Sequence, residues 1–173
     1  MDPIYLDCAA TTPCDPRVVE ALRPYFYDAF GNTLSPHAFG RRSRKGVEDA
    51  REILASFLGA QPTEIVFTSS ATESNNHVIL GVARALKSEG RHLVVSAIEH
   101  HCVLEPARRL MQEGCEVTFV PPDKDGITHP EAIEQALRPD TILIAVAHAN
   151  NEIGTIQPIA DIGRIARAKG IYF

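Results

Sequence analysis

The chain has 173 residues, 45% hydrophobic and 23% charged, with a formal net charge of −5 at pH 7. That balance suits one globular domain long enough to bury a core, and it argues against a nucleic-acid partner, which would require a basic surface. No apolar run approaches the length of a membrane span, and Met1-Asp2-Pro3 lacks the basic start of a secretory signal, so a cytoplasmic location and no membrane partner are expected.

Residues 1–45 read as an N-terminal arm with one helix from Pro16 to about Ala29. Its densest basic stretch, Arg41-Arg42-Ser43-Arg44-Lys45, has the composition of a solvated face. From residue 46 the chain alternates helical and strand-like patterns. Val47, Ala50, Leu54 and Phe57 recur at helical spacing, and Gly59 follows as a stop. Ile65-Val66-Phe67 is a short β-branched and aromatic run. Val78, Val82 and Leu86 mark the next helix, closed by Gly90, before the strand-like His92–Ser96. Val103, Ala107, Leu110 and Met111 form another stripe, ended by Gly114, and Glu116–Val120 reads as a strand. A short helix is predicted over about Pro130–Leu137, a nearly all-apolar strand over Thr141–Val146, and a last helix through Ile159, Ile162 and Ala166 to Gly170. Apolar strands alternating with helices predict an α/β fold, a mainly parallel sheet with helices on both faces. Ile171-Tyr172-Phe173 read as the start of a further strand, so the domain at 46–173 is expected to be incomplete at its C-terminus, with an open sheet edge and marginal stability. The cysteines at 8, 14, 102 and 115 have no paired spacing and read as reduced, mostly buried thiols. No metal site is expected.

Three polar clusters fall where strands are predicted to end. Thr68–Asn75 opens a helix, with Ser70 and Glu73 at capping-box spacing. The free N–H groups of such a helix start favour an anion such as phosphate, although a plain cap has the same pattern. Glu99-His100-His101 offers a ring for stacking or proton exchange, or simply a capping residue. His148–Gly154 follows the most apolar strand and is either a structural loop or a polar wall. In open α/β sheets ligands bind at the carboxyl ends of the strands. Three clusters on that edge predict a phosphate-bearing ligand, and the absence of GxGxxG, GxxxxGK[ST] and GxSxG disfavours a dinucleotide site, a P-loop or a hydrolase elbow.

Tyr5-Leu6-Asp7-Cys8-Ala9-Ala10-Thr11-Thr12-Pro13 resembles the opening of cysteine desulfurases of the NifS/IscS type, in the class-V aminotransferase family. Phe30-Gly31-Asn32, Ser35-Pro36-His37 and Gly40 are similar to the segment that follows it. Glu64–Asn75 resembles the family's phosphate-binding turn, with Ser70 where Gly is usual; Glu99-His100 and Asn150–Gly154 complete the series in order.

The resemblance implies part of the large domain of a type I pyridoxal-phosphate-dependent transferase, with 46–173 as its cofactor-binding domain. The implied activity converts L-cysteine to L-alanine and passes sulfur to an enzyme cysteine as a persulfide, for iron–sulfur clusters or thio-cofactors. Ala71 and Thr72 are then expected to hold the phosphate of pyridoxal 5′-phosphate. His100 is expected to stack on its ring and help move protons, and Asn151 to hydrogen-bond the 3-hydroxyl oxygen. A homodimer and iron–sulfur scaffold or sulfur-acceptor proteins are the implied partners. The family's lysine lies in a Ser-x-His-Lys setting that none of Lys45, Lys87, Lys124 and Lys169 has, and Cys8, Cys14, Cys102 and Cys115 do not match the persulfide cysteine. The ring-nitrogen aspartate is expected just beyond Phe173. The chain alone is therefore expected to be inactive, with weak or absent cofactor binding. A selenocysteine lyase or another class-V relative shares these motifs, and a truncated, non-catalytic interaction module is the alternative from a different class.

Overall fold

The computed structural model describes residues 3–173; Met1 and Asp2, part of the start read against a secretory signal, lie outside the described residues. Contacts divide the chain into two compact units, Met1–Phe67 and Thr68–Phe173.

In the first unit, α1 (Pro16–Tyr27) opens with Asp15, whose carboxylate accepts the Arg17 N–H at 2.8 Å, and with proline in the first turn, where no hydrogen-bond donor is needed. The next helix, α2 (Ala38–Leu58), begins well before Val47. His37 caps it through Nδ1, which accepts the Gly40 N–H at 3.3 Å. Gly40 has a steric reason: a Cβ there would lie 2.2 Å from the Ser35 carbonyl oxygen. Residue 45 lies inside this helix. The basic cluster holds local structure as well as meeting water: Arg42 pairs with Asp28 at 2.7 Å, and the buried Ser43 hydroxyl donates to the Ala29 carbonyl. Gly59 ends α2 at φ +66°. Ile65–Phe67 form no strand, because no neighbouring strand pairs with them among the described residues; Val66 is exposed, and Phe67 lies under the Arg51 guanidinium, 4.9 Å from its ring centre.

The second unit contains α3 (Ala71–Ala85), β1 (His92–Ser96), α4 (His101–Gln112), β2 (Glu116–Val120), α5 (Pro130–Ala136), β3 (Thr141–Ala145) and α6 (Ile159–Lys169). The strands form a parallel sheet in the order β2-β1-β3. Tyr172 makes an isolated parallel bridge alongside β3, its carbonyl accepting the Ile144 N–H at 2.8 Å.

Alternate residues of a strand face opposite sides. Leu93 and Val95 accordingly pack with Ile79, Ala83, Ala107 and Leu110 of α3 and α4. Val94 and Ile144 pack with Ile133 of α5 and Ile162 and Ala166 of α6. This is the α/β architecture with helices on both faces. Fully burying one such aliphatic side chain contributes about 1.5–3 kcal/mol, so the two clusters are the main stabilising term of this unit. Of the expected stripes, Val47, Ala50, Leu54 and Phe57 on α2, Val78 on α3 and Met111 on α4 are exposed; the buried face of α3 runs through Ile79 and Ala83, and that of α4 through Val103, Ala107 and Leu110 as expected.

Gly114 and Gly170 close their helices at φ +90° and +67°. Gly90 does not take positive φ. A Cβ there would meet the Asp140 carbonyl oxygen at 2.2 Å, so close backbone approach is what demands glycine. The four cysteines are free, but Cys8 and Cys14 are exposed and Cys102 and Cys115 half-buried, so they are not the buried thiols expected; the first two lie in the irregular arm before α1, which has no core to enter. No helix among the described residues is long and apolar enough to cross a membrane.

Candidate functional site

The start of α3 is capped by Ser70, whose hydroxyl oxygen accepts the Glu73 N–H at 3.2 Å. Glu73 does not close the reciprocal half of a capping box on Ser70. Its carboxylate takes the Ser69 N–H and hydroxyl, at 2.6 and 2.7 Å, and these bonds hold it below the usual carboxylate range. The N–H groups of Ala71 and Thr72 keep no acceptor among the described residues. They are the free donors of a helix N-terminus, with the helix dipole behind them. Contrary to expectation, no strand precedes this turn.

At the end of β1 the chain turns through Glu99 into α4, capped by His100. Its Nδ1 accepts the Cys102 N–H at 3.1 Å, so the neutral ring carries its proton on Nε2. The ring itself is exposed. Glu99 is half-buried and accepts the Ala147 N–H at 2.7 Å; burial raises its carboxyl above the ordinary range, with that hydrogen bond opposing.

After β3 the chain forms a tight turn at Asn150–Gly154, where Gly154 takes φ +75°. The two adjacent asparagines divide the work. Asn150 is structural: Oδ1 accepts the Glu152 and Ile153 N–H groups at 2.9 and 3.1 Å, and Nδ2 donates to the Ile98 carbonyl at 2.8 Å. Asn151 is exposed and donates only to the Glu152 side chain, at 2.9 Å, leaving its oxygen free among the described residues. Gln157, buried, anchors the same turn to the segment before α5 by accepting the Thr128 N–H and donating to the Gly126 carbonyl.

These pieces meet. Ala71, Thr72, His100 and Asn151 all line one cleft of about 620 Å³, together with Glu99 and the Val146–Ala149 segment. His101 does not line it; that ring faces a second cleft beside Arg108 and Arg109. No lysine lines the first cleft. The donor set there comprises two unpartnered N–H groups at a helix start, an imidazole and a free amide. That chemistry suits a phosphorylated, ring-shaped ligand, so pyridoxal 5′-phosphate fits the residues present. No group of His, Cys, Asp and Glu side chains among the described residues is placed to hold a metal ion. Sequence reasoning assigned no role to Glu99, Asn150 or Gln157. The signal available for them was general: polar residues next to buried strand ends require partners.

Known proteins resemble this chain along nearly its whole length. The family model for aminotransferase class-V matches residues 4–173. A cysteine desulfurase IscS from Dictyoglomus turgidum is 51% identical over 98% of the chain, and a human cysteine desulfurase 49% identical over 99%. The chain spans 43% and 38% of those two proteins. Among solved structures, SspA in complex with cysteine superposes with a TM-score of 0.92 at 43% identity, over 97% of this chain and 49% of that one. DndA from Streptomyces lividans gives 0.86 at 46% identity, over 98% and 48%.

Proposed function

The chain belongs to the class-V aminotransferase family, among relatives that are cysteine desulfurases, and from that premise we propose that its cleft holds pyridoxal 5′-phosphate for removal of sulfur from L-cysteine, leaving L-alanine. The observation that carries this reading is the meeting of Ala71, Thr72, His100 and Asn151 on one cleft. The cysteine in the SspA complex supports the choice of substrate.

When bound, the cofactor supplies an electron sink, and the protein supplies binding, orientation and proton handling. The Ala71 and Thr72 N–H groups hold the phosphate, aided by the dipole of α3. His100 would stack on the ring and move a proton at Nε2, its Nδ1 being held by the Cys102 N–H. Asn151, whose amide donates to the Glu152 side chain, would hydrogen-bond the ring's 3-hydroxyl oxygen. In the full-length parent, a cytoplasmic homodimer in this proposal, the sulfur would go to an enzyme cysteine as a persulfide and on to iron–sulfur or thio-cofactor assembly; none of the four cysteines of this chain takes that part. The chain alone is inactive in this proposal, since no lysine lines the cleft and none has the Ser-x-His-Lys setting.

The test uses 4′-deoxypyridoxine 5′-phosphate, which lacks the aldehyde and cannot react with surface lysines. The 173-residue chain is expected to quench its fluorescence saturably and to bind dephosphorylated 4′-deoxypyridoxine about tenfold more weakly or worse, one decade being about 1.4 kcal/mol. With pyridoxal phosphate and L-cysteine it is expected to release no sulfide above a cofactor-only blank. Equal affinity for the two pyridoxines overturns the phosphate assignment, and sulfide release overturns the proposed inactivity.

A further inference from the structure

Two hydrogen bonds tie the turn after β1 to the turn after β3. The Ala147 N–H donates to Oε1 of Glu99 at 2.7 Å, and the Asn150 side-chain amide donates to the Ile98 carbonyl at 2.8 Å. His100 follows Glu99 directly, and Asn151 follows Asn150. No hydrogen bond joins His100 and Asn151 to each other among the described residues, so their spacing depends on these ties. Ala147 lies beyond the last residue of β3, where the sheet no longer supplies an acceptor for its N–H. Glu99 lines the cleft but presents its carboxyl to backbone rather than to another side chain.

We propose that Glu99 is a positioning residue: its carboxyl clasps the Ala147 amide and thereby sets the separation of His100 from Asn151 across the cleft. This rests on the pyridoxal-phosphate reading only for its consequence in ligand binding; the clasp itself is a property of the fold. The interaction depends on reach and on an acceptor oxygen, not on a countercharge. No cation pairs with Glu99 among the described residues, and burial already favours its neutral form. A glutamine keeps the same reach and a carbonyl acceptor. An aspartate keeps the charge but withdraws the oxygen by one C–C bond, about 1.5 Å, which breaks a 2.7 Å contact.

The experiment compares Glu99→Gln, Glu99→Asp and Glu99→Ala in the 173-residue chain. Two measurements are independent of any ligand: exchange of the Ala147 amide hydrogen, and the amide chemical shifts of His100 and Asn151. A third is affinity for 4′-deoxypyridoxine 5′-phosphate. Glu99→Gln is expected to stay near the parent, within about threefold, on exchange and affinity. Glu99→Asp and Glu99→Ala are expected to speed Ala147 exchange about tenfold, to move both reporter shifts and to weaken binding about tenfold. Should Glu99→Ala not fold, the Gln and Asp variants decide alone. Unchanged Ala147 exchange in Glu99→Asp overturns the clasp, as does a Gln variant that behaves like Asp. Faster exchange with unmoved His100 and Asn151 shifts overturns the positioning role. A parent chain that does not bind the phosphate ligand overturns the proposed function instead, and the exchange and shift comparison still decides the role of Glu99.

Discussion

The side-chain oxygen of Gln157 accepts the backbone N–H of Thr128 at 2.8 Å, with both residues buried. The same amide donates to the Gly126 carbonyl at 2.8 Å and the Thr155 hydroxyl at 3.0 Å. Gln157→Leu leaves a buried donor and a nearby acceptor without partners. Each unsatisfied buried group costs about 1–3 kcal/mol, so a loss of about 3 kcal/mol is expected. Urea unfolding followed by circular dichroism reads it; a change below about 1 kcal/mol shows that water replaces the amide there.

His92 sits at the start of β1, fully buried, with Nδ1 2.7 Å from the Thr141 hydroxyl and Nε2 2.8 Å from that of Thr118. Burial holds its proton affinity below the usual imidazole range. Nearby Arg138 adds to this, while Asp140 and Glu116 oppose. The folded state thus binds this proton less readily than the unfolded chain. The neutral-ring contribution to stability is complete above about pH 6.5 and is lost as pH falls below that value. Comparing unfolding free energies of the parent and His92→Phe from about pH 7.5 to 5 is expected to show a flatter curve for the variant below the midpoint. Parallel curves refute the assignment.

Glycine is required after α2 and before β1 for different reasons, and the two costs separate. At Gly59 the backbone takes φ +66° and the space a Cβ would occupy is open, with nothing within 4 Å, so Gly59→Ala is expected to cost about 1–2 kcal/mol of conformational strain. At Gly90 a Cβ meets the Asp140 carbonyl oxygen at 2.2 Å. Backbone there must move, and Gly90→Ala is expected to cost about 3 kcal/mol, near the upper end for overpacking. Thermal unfolding of the two variants ranks them; equal losses count against the close-approach argument.

His100 and His101 are neighbours in sequence, yet only His100 lines the cleft with Asn151. His100→Ala is expected to weaken binding of 4′-deoxypyridoxine 5′-phosphate by up to about tenfold, and His101→Ala to leave it unchanged, a ring stack being worth about 0.5–1.5 kcal/mol. A fluorescence titration decides, and equal effects from the two substitutions remove His100 from the site.

Much of the second unit is legible in the residues themselves. Thr141–Ala145 is apolar because both faces of β3 are covered, and Gly170 announces the end of α6 because only glycine takes its φ of +67° without strain. The start of α2 is less legible: its cap is His37, outside the usual Ser, Thr, Asp and Asn, and its first turns present few buried residues. Ile65–Phe67 has the composition of a strand, but a strand exists only by pairing, which composition does not report. In the site, the turns carrying Ala71, Thr72, His100 and Asn151 follow from motif order. The division between Asn150, which builds the turn, and Asn151, which faces the cleft, does not, since two identical side chains in sequence differ only by the direction in which the backbone aims them. Glu99 stayed without a role for a similar reason: its acceptor function depends on Ala147, 48 residues away.

β1 has a polar residue at each end, His92 and Ser96, with three apolar residues between them. Four steps along a strand span about 13 Å, and substitutions that far apart with no shared partner combine almost independently. The histidine end serves only the cohesion of the sheet, whereas the opposite end feeds the turn that carries His100. A lineage or an engineer can therefore retune the acid tolerance of this unit at His92 without disturbing what the cleft recognises, and can alter recognition without loosening the sheet.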